Sequence, residues 1–385
     1  MSRRKICVVV TARPSYSRIK TALRALQQHP EIELQIVAAA SALLDNYGKV
    51  VETMASDGFL VNERVFMILE GQNLVTSAKS TGLGIVELAT VFDKLQPDAV
   101  VTIADRFETM ATAVTASYMN IPLVHIQGGE VTGSIDEKVR HAITKLADIH
   151  LVSNDRAAER VIRMGEDSNS VYVTGCPSID IAAEILDKPT LDFDPFEKYG
   201  GVGNKVDYSN GYLVTMQHSV TTEYELARKQ VTETLKAVDK VGLPTFWFWP
   251  NVDAGSDGTS RGIRSYREIH KPEKISFFKN MLPEDFLRLI YNSKCLVGNS
   301  SVAIRECSFL GIPAVNIGTR EEGRERGVNV IDVNHDQSEI IEAIQTHLSN
   351  GHYPNDHLYG NGHAGEKIAD ILATVPLKHT KRIMY

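Results

Sequence analysis

Cysteine is scarce in this chain: Cys7, Cys176, Cys295 and Cys307 are the only four in 385 residues, and none sits in a CxxC or CxxH spacing. That excludes a disulfide framework and the usual thiolate metal sites. With Cys7 and Cys295 inside apolar, strand-like runs, where free cysteine acts as a small hydrophobe, a reduced, cytoplasmic setting is expected. A basic excess is missing too, since 41 Lys plus Arg face 48 Asp plus Glu, for a net charge of -7. A nucleic-acid binder would show a basic stripe; an anionic small molecule gripped by a few placed arginines fits better. No apolar run approaches the roughly 18–20 residues of a membrane span. The basic start, Met1 to Lys5, is followed only by Ile6–Val10 and no cleavage-like site, which reads as a first buried strand and not a signal peptide. There is no low-complexity tract or short-period repeat. No His, Cys or Asp cluster has metal-ligand spacing, so neither a metal nor a cofactor is expected.

What is present is ordinary globular composition, 43% apolar and 23% charged, over a length comfortable for two cores. Short apolar runs alternate with amphipathic stretches. Ile6–Val10, Leu34–Ala38, Ala99–Ile103, Leu123–Ile126, His150–Val152 and Val171–Val173 read as strands in the first half. Tyr212–Met216, Thr245–Trp249, Ile275–Phe278, Cys295–Val297 and Ala314–Ile317 do so in the second. Continuous apolar strands separated by helices mean parallel sheets covered on both faces. The rhythm breaks between Lys188 and Gly211, a stretch rich in Asp, Pro, Gly and Tyr that reads as an interdomain linker or surface excursion. The expectation is an α/β protein of two Rossmann-like domains, residues 1–186 and 187–365. A C-terminal helix and tail, 366–385, would pack back on the first domain.

Ligands of such sheets bind beyond the C-terminal ends of the strands, so the strand-end loops carry the chemistry. After the first strand comes Thr11-Ala12-Arg13-Pro14-Ser15-Tyr16-Ser17. It lacks the glycines of a dinucleotide fingerprint. It offers instead an arginine and hydroxyls at a helix start, either a phosphate site or a capped helix with a solvated arginine. Asp105-Arg106 follows Ala99–Ile103. After Leu123–Ile126 comes Gln127-Gly128-Gly129-Glu130, then Asp136-Glu137 and Arg140-His141. A helix N-terminus explains one of Asp136 and Glu137 but not Glu130 in a glycine-rich loop; His141, inside the helix, reads as structural. In the second half Gln217-His218 places a histidine, a general acid/base or phosphate donor, at a strand end. Pro250-Asn251-Val252-Asp253-Ala254-Gly255 is either a second ligand loop or a plain turn. Gly298-Asn299-Ser300-Ser301, between a strand and a helix read as Ile304–Leu310, aims hydroxyls and backbone N–H groups at one spot, an arrangement suited to a diphosphate. The other reading of it is an ordinary serine cap. Glu306 lies one turn further, placed for a ribose diol, and Gly318-Thr319-Arg320 adds a guanidinium.

Together these strings, with Gly175-Cys176-Pro177-Ser178 and Asp253-Ala254-Gly255-Ser256, resemble the hydrolysing UDP-N-acetylglucosamine 2-epimerases, from Thr11 to about Leu372. These include bacterial enzymes of the sialic acid pathway and the epimerase half of the bifunctional epimerase/kinase. The resemblance implies the glycosyltransferase-B architecture with an interdomain cleft, UDP held mainly by the second domain and the sugar reaching toward the first. It places Arg13 and Ser17 near diphosphate and sugar. It makes Asp105 and Asp136 the acid/base carboxylates, with Glu130 as stand-in, and His218 a cleft histidine. Ser300 and Ser301 become diphosphate ligands, Glu306 the ribose ligand and Arg320 a further UDP contact; Arg106 and Asn251 are counted with the binding residues.

The chain departs from the family at Gln127, where a catalytic glutamate often stands, and a neutral amide cannot act as a base. The implied reaction is conversion of UDP-N-acetylglucosamine to N-acetylmannosamine and UDP. The alternatives are the same reaction on UDP-2,4-diacetamido-2,4,6-trideoxyglucose, and a non-hydrolysing 2-epimerase. A retaining glycosyltransferase and a UDP-sugar sensor are more distant rivals. A homo-oligomer, dimer or tetramer, is expected, with no nucleic-acid or membrane partner. Arg261 and Arg264 read either as a feedback site or as a solvated helix face.

Overall fold

The structure is a computed structural model that describes residues 3–44, 50–70, 74–132, 136–250, 255–378 and 380–384, apart from the side chains of Leu74, Asp136 and Thr221. The chain divides into two compact units. Unit 1 comprises Met1–Glu130, Asp136–Asp180 and Tyr359–Tyr385; unit 2 comprises Val131–Ile135 and Ile181–Leu358.

In chain order the first unit carries β1 (Arg4–Val10), α1 (Arg13–Gln28), β2 (Ile32–Ala39), α2 (Val50–Ser56), β3 (Glu63–Val65), α3 (Leu74–Leu95) and β4 (Ala99–Ile103). It continues through α4 (Phe107–Tyr118), β5 (Leu123–Ile126), α5 (Asp136–Leu146), β6 (Ile149–Val152), α6 (Asp155–Arg163), β7 (Val171–Val173) and the start of α7 (Pro177–Leu186). The second unit carries α8 (Pro195–Tyr199), β8 (Leu213–Met216), α9 (Ala227–Val241), β9 (Thr245–Phe248), α10 (Ser256–His270) and β10 (Ile275–Phe278). It ends with α11 (Pro283–Tyr291), β11 (Cys295–Gly298), α12 (Glu306–Leu310), β12 (Ala314–Ile317), β13 (Val330–Val333) and α13 (Gln337–Asn350). Helix α14 (Ala364–Thr374) returns to unit 1.

Both sheets are wholly parallel. The first runs β3-β2-β1-β4-β5-β6-β7 and the second β10-β9-β8-β11-β12-β13. The strand order reverses between β1 and β4 in one and between β8 and β11 in the other. These are the switch points, where successive connections leave on opposite faces and open a crevice.

The apolar strands are buried on both faces. Ile6, Val8 and Val10 of β1 join Ile19 and Leu23 of α1 and Ile368 and Leu372 of α14 in one core. Cys7 and Val9 point the other way, into a core with Leu88, Phe92 and Ile143. Each fully buried aliphatic side chain contributes about 1.5–3 kcal/mol. The return of α14 is fixed by Asp180, whose carboxylate accepts from the Ala364 and Gly365 N–H groups at 2.8 and 2.7 Å and from the Thr21 hydroxyl at 2.9 Å. This satisfies the first-turn donors of α14 at its positive dipole end. Gly365 is required there, since a Cβ would meet the Thr21 backbone at 2.8 Å.

Three expectations are corrected. The stretch 188–211 is not a bare linker. It contains α8, whose Phe196 packs against Phe246 and Phe278 at ring separations of 5.7 and 5.4 Å, and Val202 bridges Phe277 of β10. Its aromatics, Phe196 and Tyr208, give it a core-facing role that its Gly and Asp content conceals. Strands β3 and β13 went unexpected; both are sheet edges, with only Val65 buried in β3 and no residue buried in β13. The regular helix α12 begins at Glu306, and residues 301–305 are turns. Among the described residues, no helix is long and apolar enough to cross a membrane.

Candidate functional site

In unit 1 the chain leaves β1 directly into α1. Ala12 provides no side-chain cap, no acidic residue occupies the first turn, and Pro14 presets the turn without needing a donor partner. Arg13 opens this helix. Among the described residues its guanidinium has no hydrogen-bond or ion-pair partner, and burial lowers its pKa, leaving it cationic. The half-buried Ser17 hydroxyl, one turn on, is likewise without a protein partner among those residues.

Across the switch point, β4 is followed by Ala104, at φ +64°, and then Asp105. The Asp105 carboxylate is ion-paired with Arg140 of α5, whose side chain is 1% exposed. Arg106 does not pair with its neighbour; it turns to Glu108, at 3.2 Å. The turn at Ala104 is held from beneath by His125 of β5. Its Nε2 lies 2.9 Å from the Ala104 carbonyl and its Nδ1 lies 3.1 Å from the Thr144 hydroxyl. A carbonyl only accepts, so Nε2 carries the proton and Nδ1 accepts from Thr144. Burial pushes the His125 pKa down to about 3, and the ring stays neutral in this role.

After β5, Gln127 also takes positive φ, +64°. For a non-glycine residue this is a strained conformation of the kind found at sites. Its Nε2 donates to the Cys176 Sγ, and its buried Oε1 has no partner among the described residues. Glu130, 1% exposed, accepts from the Ser153 hydroxyl at 2.8 Å. Gly129 is obligatory just before it: its φ is +75°, and a Cβ would lie 2.3 Å from the Ala157 carbonyl. Asp136 begins α5, but its side chain lies outside the described residues. His141 pairs with Glu137 one turn back, at 2.8 Å, a structural contact.

In unit 2 the switch point brings Gln217-His218, after β8, beside Gly298-Asn299, at the end of β11. Gly298 has φ +143°, and a Cβ on it would sit 2.0 Å from the Met216 carbonyl, so only glycine permits the approach. Asn299, wholly buried, then clamps His218 from both sides. Its Oδ1 accepts from the His218 N–H at 2.7 Å and its Nδ2 donates to the His218 carbonyl at 2.8 Å.

Ser300 and Ser301 follow and are nearly buried. They head the 301–305 turns and not a helix tip, because α12 starts only at Glu306. The Ser301 hydroxyl accepts from the Arg305 guanidinium. Glu306 is 6% exposed; among the described residues no donor or cation reaches its carboxylate, and Oε2 is fully buried. Arg320, after β12, donates to the Asn299 carbonyl at 3.1 Å and to Glu321 at 2.8 Å, so that the strand-end loops of β11 and β12 are tied together. Asn251 lies outside the described residues. On α10, Arg261 is solvent-facing beside Asp257, and Arg264 stacks on Trp249 at 5.9 Å.

The structure thus gathers Arg13, Ser17 and Asp105 around one switch point, and His218, Ser300, Ser301 and Arg320 around the other, with Glu306 a short turn onward. Sequence reasoning missed the holding roles of Arg140, His125, Thr144 and Asn299. The signal for Asn299 was available, since an asparagine directly after a strand-end glycine invites side-chain bonding to a neighbouring backbone. Among the described residues no three His, Cys, Asp or Glu side chains are grouped to hold a metal ion.

A model of the UDP-N-acetylglucosamine 2-epimerase family matches residues 24–373. A relative from Legionella pneumophila, UDP-N,N'-diacetylbacillosamine 2-epimerase (hydrolyzing), is 31% identical over 375 residues, covering 97% of each chain. The UDP-N-acetylglucosamine 2-epimerase of Neisseria meningitidis is 28% identical over 373 residues, 96% of this chain and 95% of that one. The fold is that of a solved glycosyltransferase-B-type structure, UDP-GlcNAc 2-epimerase from Neisseria meningitidis bound to UDP-GlcNAc. It has a TM-score of 0.78 at 17% identity, over 96% of this chain and 99% of that one. Two doubly wound parallel sheets, polar residues crowded at their switch points and a match over nearly the full length agree: the chain belongs to the UDP-N-acetylglucosamine 2-epimerase family.

Proposed function

We propose that this chain is a hydrolysing 2-epimerase that converts UDP-N-acetylglucosamine and water into N-acetylmannosamine and UDP, in biosynthesis of a sialic-type acid. The observation that carries the reading is Glu306. A carboxylate can only accept, and a buried one without donors is costly. A ribose diol supplies two hydroxyl donors and removes the cost. Arg13, the Ser300 and Ser301 hydroxyls, His218 and Arg320 are the donors for the diphosphate, with Ser17, Arg106 and Asn251 as further substrate contacts. Hydrolysis, as opposed to return of UDP to the sugar, is favoured by the Legionella relative's own reaction.

The C2–H of a pyranose is not acidic, so the leaving group must go first or nearly so. The C1–O bond breaks with its electron pair passing to the β-phosphate oxygen, where preorganised donors stabilise the charge. The electron-poor C1 makes the C2 proton labile. A carboxylate takes that proton, and the C–H pair becomes the C1=C2 bond of a glycal. Water then adds its oxygen to C1 and releases a proton, while C2 is protonated from the opposite face. Asp105 and Asp136 serve as the two proton-transfer groups, with Glu130 as the alternate. Arg140, ion-paired with Asp105, orients that carboxylate.

An NMR time course with UDP-N-acetylglucosamine in D₂O tests this. Free UDP and N-acetylmannosamine deuterated at C2 are expected. UDP-N-acetylmannosamine as product would make the enzyme non-hydrolysing, and saturable binding without turnover would make it a sensor. A second reading is favoured by the Legionella relative together with Gln127. On that reading the true substrate is UDP-2,4-diacetamido-2,4,6-trideoxyglucose, and a higher kcat/KM on that sugar would establish it.

A further inference from the structure

The segment after α14 runs along unit 1 in an unusual way. Its residues Lys381 to Met384 are all exposed, Ile383 and Met384 at 57% and 50%, but Lys381 turns its side chain inward, leaving that side chain 25% exposed. The segment is tied to unit 1 by the Lys381 ammonium as well as by Ile383 against Gly165. Lys381 Nζ donates to the backbone carbonyls of Thr144 and Ala147, 237 and 234 residues earlier in the chain, at the C-terminal end of α5. Those carbonyls have no partner within a helix and carry its negative pole, where a cation is favoured.

The same ammonium lies 2.6 Å from Glu166, which is 2% exposed and also receives Lys145, from the last turn of α5, and His150 at 3.1 Å. Burial alone would raise the Glu166 carboxyl, but these three partners pull its pKa down to about 2. The Met384 N–H closes the segment onto the Gly165 carbonyl at 2.9 Å. Two of the ammonium's partners are carbonyls at the end of α5, and the third, Glu166, in turn holds Lys145 of the same helix.

That helix carries the side chains that shape the end of β4. Arg140 holds the Asp105 carboxylate, and one turn later Thr144 bonds His125, which bonds the Ala104 carbonyl. Thr144 therefore takes part twice, its carbonyl bonded to Lys381 and its side chain to His125.

We propose that Lys381 is a positioning residue for the reaction: by fixing the C-terminal end of α5 it sets the register in which Arg140 and Thr144 present Asp105. It touches no substrate and acts through the helix. The proposal rests on the assignment of Asp105 to proton transfer at C2.

The test uses the full chain with UDP-N-acetylglucosamine, reading UDP release. Lys381→Met keeps the aliphatic stem and removes the ammonium. It is expected to lower kcat about tenfold with KM unchanged, since small displacements of a reacting group act on the chemical step. Lys381→Arg, which donates to the same carbonyls, is expected to retain turnover. In an Asp105→Asn background the Lys381→Met effect should vanish, because coupled residues are not additive. Wild-type kcat in Lys381→Met overturns the proposal. So does an undiminished tenfold loss in the Asp105→Asn background, or a loss matched by the fraction of unfolded protein. Should Lys381→Met fail to fold, Lys381→Gln, which keeps an N–H donor without the charge, takes its place under the same criteria. An Asp105→Asn enzyme with normal turnover would defeat the assignment of Asp105 itself, a result separable from the others.

Discussion

In unit 1 the buried carboxylates come with partners that the fold supplies: Arg140 for Asp105, the Ser153 hydroxyl for Glu130. In unit 2 Glu306 is buried to the same degree, yet among the described residues nothing donates to it. A group already partnered is oriented before any ligand arrives, as proton transfer in a transition state demands. A group lacking partners gains them only from a ligand, as ground-state binding demands. The contrast supports the proposal that chemistry belongs to one set of strand ends and recognition to the other, and kinetics can separate the two.

The largest effect is expected at Asp105. Asp105→Asn should lower kcat by at least about 100-fold, with KM held and circular dichroism unchanged. A rise in KM with kcat intact would move Asp105 to the binding side and break the contrast. Glu306→Gln comes next. It should raise KM about tenfold while kcat stays within about threefold, because it removes binding common to ground and transition states. A loss of kcat at constant KM would reverse the roles of the two sites.

The smallest effect at neutral pH concerns His125. Its pKa is about 3 folded against 6.5 in the unfolded chain. As pH falls below 6.5 the unfolded chain takes up the proton first. The contribution of His125 is thus complete above that value and is lost on descending toward about 3, with a slope approaching roughly 1.4 kcal/mol per pH unit. Urea midpoints between neutral pH and pH 4 should fall less steeply in His125→Asn than in the parent. Equal slopes would mean that the ring is not held neutral beneath Ala104.

Much of the fold was legible because parallel strands buried on both faces are written as unbroken apolar runs. Ala99–Ile103 and Leu123–Ile126 coincide with β4 and β5 to the residue. Edge strands β3 and β13 were not, since they bury almost nothing and so carry no such signature. Strand-end position likewise exposed Arg13, Asp105, His218 and Ser300, because topology dictates where such residues go. What periodicity does not reveal is pairing between distant segments. Nothing in the sequence pairs Arg140 with Asp105, Thr144 with His125 or Lys381 with the end of α5. Their meaning depends on which surfaces meet, and that is set by tertiary packing.

The discontinuity of unit 1 has a kinetic consequence. Unit 2 draws nearly all its contacts from one uninterrupted stretch, Ile181–Leu358, whereas the core around β1 stays open on one side until Ile368 and Leu372 arrive. Closing so long a loop delays the contacts that reward it. The second lobe can therefore reach its native state while the first still waits as a partly uncovered intermediate, and that waiting species is the one most prone to aggregate.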